Sequence, residues 1–416
     1  MAMSDVVIIG AGLAGLCCAL RLQEAGVDYV VVEAGDRVGG RVRTEVSGGF
    51  RFDRGFQVFL SSYPEARRVL DFAALDLRYF EPGCLIASEG RLHPFVDPWR
   101  RPSALWKSVF GPFGTLGDKL RVARLRWRVT RPSIEQLLAQ PDTTTDATLK
   151  AQGFGEEIVD AFFRPFLGGV FLDSELQTSS RKFRWLFRMF SRGRAAVPAL
   201  GMGEIPRQLA ARLPSERIRL NTKATQVTEG RVVLEDGRDL LCSQVVVATD
   251  PGTAIRLIEG LPPVAFRSVT NLQYSLADVP TKGAWLVVNG DGSGLVNNLA
   301  FMSEVSSEYA PKGRALASVS VLGCPELDDR ALDDLVRQEL VRWFGMIVGE
   351  WRLECVHRLR EALPDQPAGS LGEVRRGARL QDWLVVAGDW RNLASINGAM
   401  ESGRLAAEAV LEKVLD

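Results

Sequence analysis

The chain has 416 residues, enough for two or three domains with substantial cores. Its hydrophobic content of 46% and charged content of 25% exclude a disordered or fibrous protein. The 51 basic and 51 acidic side chains cancel, so net charge points to no nucleic-acid or acidic partner. Only His93 and His357 are present, so neither a metal site nor a histidine-based triad is expected. No apolar run reaches the roughly 20 residues of a membrane span. The first strand is expected from about Asp5, with no signal peptide ahead of it. Cys17, Cys18, Cys84, Cys242, Cys324 and Cys355 form no CxxC pair, which suits a reducing, cytoplasmic compartment without disulfides or zinc.

The first predicted elements carry most of the information. An apolar strand, Val6 to Ile9, runs into Gly10-Ala11-Gly12-Leu13-Ala14-Gly15. A helical pattern follows, then a second apolar strand, Tyr29 to Val32, closed by Glu33 and Ala34. Strand, glycine turn, helix, strand and acid in this order describe a dinucleotide-binding βαβ unit. Gly10 allows the tight turn, Gly12 lets the backbone approach a pyrophosphate, and Gly15 lets helix and strand pack closely. The free N–H groups and positive dipole end of the helix, at Leu13 and Ala14, face the phosphates. Glu33 can accept hydrogen bonds from both ribose hydroxyls and would repel a 2′-phosphate. A second glycine pair, Arg37-Val38-Gly39-Gly40-Arg41, follows.

Residues 61 to 200 show weaker periodicity and are richer in Trp, Phe and Pro. From Arg91 to Arg131 ten Lys or Arg stand against Asp97 and Asp118, interleaved with Trp99, Trp106, Phe110, Phe113 and Trp127. Arg181 to Arg194 adds six bases and no acid, with Phe183, Leu186, Phe187 and Phe190 on one helical face. One reading is a core-facing helix with a solvated back. The other is peripheral docking on an anionic membrane, where each base would add about 1 kcal/mol. The first is preferred.

Gly201-Met-Gly-Glu-Ile-Pro206 then introduces a helix predicted over Gln208 to Leu213. Strands follow at Ile218 to Leu220, Arg231 to Glu235 and Gln244 to Ala248. Further strands are expected at Ser268 to Leu276, Ala284 to Val288 and Ala315 to Val321, and a helix at Leu332 to Phe344. Gly290-Asp-Gly-Ser-Gly294 reads as a strand connector rather than a second phosphate loop. The last pattern is an apolar strand ending in Gly388-Asp389, then a helix near Asn397 capped by Ser395, with Gly398 and Ala399 small enough for its end to abut a flat ring.

The Gly39-Gly40 doublet between arginines, with Gly388-Asp389 and the small-residue helix start, resembles the flavoprotein group of amine oxidases, protoporphyrinogen oxidases and carotenoid desaturases. That resemblance implies non-covalent FAD held by Gly10, Gly12, Leu13, Ala14, Gly15, Glu33, Ala34, Arg37, Gly39, Gly40 and Arg41. It adds Ala224 and Ala248 beside the ADP moiety, and Gly388, Asp389, Ser395, Ile396 and Ala399 near the ribityl chain and flavin. No cysteine lies close upstream of Gly388, so covalent attachment is not expected. The implied fold is α/β: a Rossmann-like FAD-binding domain of the glutathione reductase type 2 class, with an inserted α+β substrate domain. The expected boundaries are 1–60, 201–260 and 346–416 for the cofactor, and 61–200 and 261–345 for the substrate.

Asp53-Arg-Gly-Phe-Gln-Val-Phe-Leu-Ser-Ser-Tyr63-Pro64 and Leu393 to Gly403 are similar to plant-type phytoene and ζ-carotene desaturases, with Gln57 where that family commonly has histidine. Amine oxidases place an aromatic residue where Ser395 stands and a lysine on the strand that matches Ser268 to Leu276, where Asn271 stands. Both departures argue against amine oxidation. The resemblance therefore implies hydride removal from a hydrophobic isoprenoid or polyene, with oxygen or a quinone as acceptor. Asn271, Gln57 and Tyr274 are the polar candidates near the ring. The alternatives are an amine or porphyrinogen oxidase, or a non-catalytic lipid carrier like Rab GDP-dissociation inhibitors. The intact set of Glu33, Gly39-Gly40 and Gly388-Asp389 speaks against the carrier.

Overall fold

The computed structural model describes residues 4–101, 112–372 and 376–414. It opens with β1 (Ser4–Ile9), α1 (Leu13–Glu24) and β2 (Tyr29–Val32). Farther along come α2 (Leu116–Thr130), α3 (Ser180–Arg192), β3 (Asp239–Val247), β4 (Phe266–Leu276) and β5 (Ala315–Leu322). The chain ends with α4 (Asp329–Phe344), β6 (Arg352–Pro364), β7 (Leu384–Val386) and α5 (Ile396–Val414).

β2, β1, β3 and β7 lie side by side in parallel, although they come from remote parts of the chain. Their unbroken apolar runs suit this position, because a parallel strand covered on both faces has no wet side. α1 and α5 pack together over one face. Gly403 sits at that seam, where any Cβ would collide with the Ala14 carbonyl oxygen. Proximity of the two chain ends is therefore built into residue size.

A second sheet of seven strands runs in the order β6, β4, β5, Val296–Phe301, Leu286–Asn289, Gly83–Ser88 and Arg91–Val96. The parallel pairing of Leu286–Asn289 with Gly83–Ser88 joins strands from both insertions into one layer. Leu332, Val336, Leu340 and Trp343 of α4 pack on this sheet against Leu272, Tyr274 and Leu276. Gly290 to Gly294 connects Leu286–Asn289 to Val296–Phe301, as a strand connector should.

Two local expectations are corrected. Residues 352–364, placed by sequence with the cofactor segments, form β6 and pair with β4 in the second sheet. Backbone pairing across about 90 positions leaves no local mark, so the boundary at 346 falls too early. The helix expected over Gln208 to Leu213 instead spans Glu204–Ala210. Pro206 lies in its first turn, where a missing N–H has no intrahelical partner to lose.

The basic run of α3 is largely spent inside the protein. Arg181 Nε donates to Gln140 O at 2.9 Å, and Arg184 to Pro141 O at 3.0 Å. Arg188 donates to the Val129 and Pro132 carbonyls at 2.6 and 2.7 Å. Trp106, Lys107 and Phe110 lie outside the described residues. No helix among the described residues is long and apolar enough to cross a membrane.

Candidate active site

A cavity of about 1650 Å³ opens where the two sheets meet. Small-molecule pockets usually measure about 300–1,000 Å³, so this one has room for a dinucleotide and a second large molecule.

One end of it is built from the glycine turns. β1 stops at Ile9 because Gly10 takes φ +104°, a left-handed backbone with no place for a Cβ. The turn then feeds α1 with Gly12 as its N-cap. Gly39 N–H donates to Ala11 O at 2.9 Å, which lays the second glycine pair against the first. Gly12 and Gly15 have different work. A Cβ at Gly15 would strike the Gly10 carbonyl oxygen, so its smallness serves helix packing. A Cβ at Gly12 meets no protein atom within 4 Å and would project into open space. The protein thus leaves a bare backbone surface at a helix N-terminus, the surface a pyrophosphate requires.

Glu33 stands at the tip of β2. Its carboxylate accepts from Ala11 N–H at 2.7 Å and Gly35 N–H at 2.8 Å, which fixes its orientation beside the turn. Each oxygen keeps lone-pair capacity for a further donor.

The C-terminal segment closes this end. Asp389 follows β7, is buried and pairs with Arg41. That carboxylate holds the Arg41 guanidinium above its ordinary value. Gly388 N–H donates to Ser402 Oγ at 3.0 Å. Ser395 caps α5, its Oγ accepting from Gly398 N–H at 2.9 Å. Ile396, the first residue of α5, keeps an N–H outside the intrahelical ladder. Gln366 braces this turn, accepting from Ala394 N–H at 2.9 Å and donating to Asn392 O at 2.7 Å.

The cavity wall brings together Gly10, Gly12, Leu13, Ala14, Glu33, Ala34, Arg37, Gly39, Gly40 and Arg41. It also includes Ala224, Ala248, Gly388, Asp389, Ser395, Ile396, Ala399 and Gln57. Gly15 stands behind the wall. Gln57 Nε2 is occupied by the Arg41 and Arg54 carbonyls at 2.9 and 3.0 Å.

Asn271 and Tyr274 are not on the wall, which corrects their placement near the ring. Asn271 is buried within the second sheet, where its amide donates to Ser318 Oγ at 2.9 Å and Val319 O at 3.0 Å and accepts from Gln273 at 2.9 Å. Tyr274 points toward α4, and its hydroxyl donates to Asp333 at 2.7 Å. Val269 is the residue of β4 that reaches the cavity. Tyr274 lies on the opposite face of the strand, whereas Asn271 shares Val269's face and is tied down by its hydrogen bonds within the sheet.

Sequence reasoning missed Lys182. It lies on α3, four residues before Leu186, on the stripe that faces the interior. It is 4% exposed, and burial pushes its ammonium down to about 8 even though Asp389, Asp365 and Asp173 pull it up. A lysine in register with an apolar stripe was the available signal.

Residues 13–411 match the family of flavin-containing amine oxidoreductases. The chain belongs to that family. This flavoprotein is an FAD-dependent oxidoreductase, and the bare glycine surface, fixed acid and Arg41–Asp389 pair fit the dinucleotide. It is 24% identical to a coproporphyrinogen III oxidase of Mycobacterium bovis, with 97% of each chain covered. A hydroxysqualene dehydroxylase of Sinorhizobium fredii is 27% identical, covering 98% of this chain and 99% of that one. Among solved structures, the cyclohexylamine oxidase of Brevibacterium oxydans shares the fold at TM-score 0.69 and 18% identity, with 100% of both chains covered.

Proposed function

We propose that this flavoprotein oxidises a large, mainly apolar molecule of the isoprenoid or polyene class, introducing a carbon–carbon double bond. The observation that carries this reading is the other end of the cavity. Beyond the glycine turns its wall is aromatic and aliphatic, with Phe56, Phe80, Phe95, Phe162, Phe166, Phe187 and Phe190 prominent. An extended hydrocarbon gains about 25 cal/mol for each Å² it buries there, and needs no dedicated polar partner to do so.

Bound FAD supplies the two-electron acceptor for a hydride leaving an sp³ carbon. The chain's own part is to bind, orient and dry the site. Phe162 and Phe166 stack with ring centroids 5.4 Å apart, and Tyr63 stacks on Trp185 at 5.7 Å, giving the substrate stiff walls. Such walls hold one C–H in place and exclude water. The α5 N-terminus at Ser395 and Ile396 turns the positive end of its dipole toward the cavity, where negative charge would be stabilised. The neighbouring carbon gives up its proton to a base, and oxygen or a quinone is the terminal acceptor of the two electrons.

A porphyrinogen is the second reading. Arg100, Arg126 and Arg194 also line the cavity, and they could meet the acidic groups of such a substrate. Anaerobic mixing with isoprenoids, porphyrinogens and amines, followed at 450 nm, tests both. Bleaching by an isoprenoid is expected. Bleaching by porphyrinogens alone selects the second reading, and bleaching by amines alone overturns both.

A further inference from the structure

The cavity holds a buried cation that the reading above leaves unused. Lys182 is 4% exposed and lines the cavity beside Phe171. Among the described residues its one partner is the Phe171 ring, with the ammonium 5.5 Å from the ring centroid. Among the described residues it forms no hydrogen bond or ion pair.

The acids within electrostatic reach are engaged elsewhere. Asp389 pairs with Arg41. Asp365 meets Arg267 at 3.0 Å. Asp173 Oδ2 accepts from the Thr178 N–H and hydroxyl at 2.8 Å each. Among the described residues its Oδ1 accepts no hydrogen bond but lies 3.7 Å from the Arg267 guanidinium, its nearest cation, rather than in an ion pair with Lys182. A buried ammonium without a counter-charge is costly, and the cost falls when a bound anion completes the pair. The neighbouring wall of Phe171, Trp185 and Leu186 is apolar, so the anion would arrive on an otherwise apolar molecule.

We propose that Lys182 is the anion anchor of the substrate chamber, taking the carboxylate of an isoprenoid or polyene acid. The substrate is then an apolar acid rather than a neutral hydrocarbon. This assignment rests on the isoprenoid reading given above. Lys182 acts as a specificity residue that sets which end of the molecule lies beside it.

All-trans-retinoate and all-trans-retinol form a matched pair of probes, equal in carbon skeleton and different in charge. Their binding to the holoprotein is read from the perturbed flavin band near 450 nm and from tryptophan quenching. The wild type is expected to favour retinoate by about tenfold or more, the range of one hydrogen bond to a charged group. Lys182→Met should erase this preference, and Lys182→Arg should keep it, with flavin content unchanged in each. If Lys182→Met loses flavin, Lys182→Gln serves the same test.

Equal binding of both probes by the wild type, or an undiminished preference in Lys182→Met, refutes the anchor and leaves the isoprenoid reading intact. Binding of neither probe refutes the isoprenoid reading, and the anchor with it. A lowered flavin midpoint potential in Lys182→Met with unchanged retinoate binding would place the ammonium on the cofactor, overturning the assignment.

Discussion

Asp53 makes the protein's stability depend on pH in a direction opposite to that of most carboxylates. It is 5% exposed and ties three segments together. Its Oδ1 accepts from the Thr44 hydroxyl at 2.5 Å and from Met202 N–H at 2.9 Å, and Oδ2 from the Tyr309 hydroxyl at 2.6 Å. Burial pushes its carboxyl from 3.8 up to about 6, and the three hydrogen bonds only partly offset this. The folded state therefore holds the proton more tightly than the unfolded chain does. The resulting stabilisation is full below 3.8 and is lost as pH rises through about 6. At about 1.4 kcal/mol per tenfold, the whole effect is about 3 kcal/mol, and about 2 kcal/mol of it falls between pH 4.5 and 7.5.

Asp53→Asn removes the titration and can still accept from Thr44 and Met202 while donating to Tyr309. Urea unfolding followed by tryptophan fluorescence should show the variant gaining about 2 kcal/mol on the wild type between those two pH values. Other titrating groups cancel in the difference. A difference that stays constant across this range would refute the argument.

The two inner glycines of the first turn should fail differently. Gly15→Ala forces a Cβ into the Gly10 carbonyl and is expected to cost about 1–3 kcal/mol of stability along with flavin. Gly12→Ala should leave the urea midpoint of the flavin-free protein nearly unchanged while lowering the flavin retained per chain, measured at 450 nm after gel filtration. Tyr274→Phe removes a hydrogen bond to Asp333 outside the cavity. It should lower stability by about 1–2 kcal/mol and leave flavin content and anaerobic reduction unaltered. A changed reduction rate would return Tyr274 to the site.

Much of the cofactor end was legible because its grammar is local. A glycine turn between an apolar strand and a helix constrains only its immediate neighbours, so Gly10, Gly12 and Glu33 declare themselves within one βαβ unit. The substrate end has no such grammar. Lys182 carries meaning only because α3 turns it inward beside Phe171, and Asn271 loses its expected place because Ser318 and Gln273 satisfy it first.

By itself, then, the order of residues determined the dinucleotide turn, the acid after β2 and the capped helix at Ser395, since each depends on contacts between near neighbours. The tertiary structure alone decided that β6 joins the second sheet, that Tyr274 faces α4, and that Lys182 is left without a counter-ion among the described residues at the cavity wall. Those outcomes depend on which distant surfaces meet, and a periodic pattern cannot specify its partner.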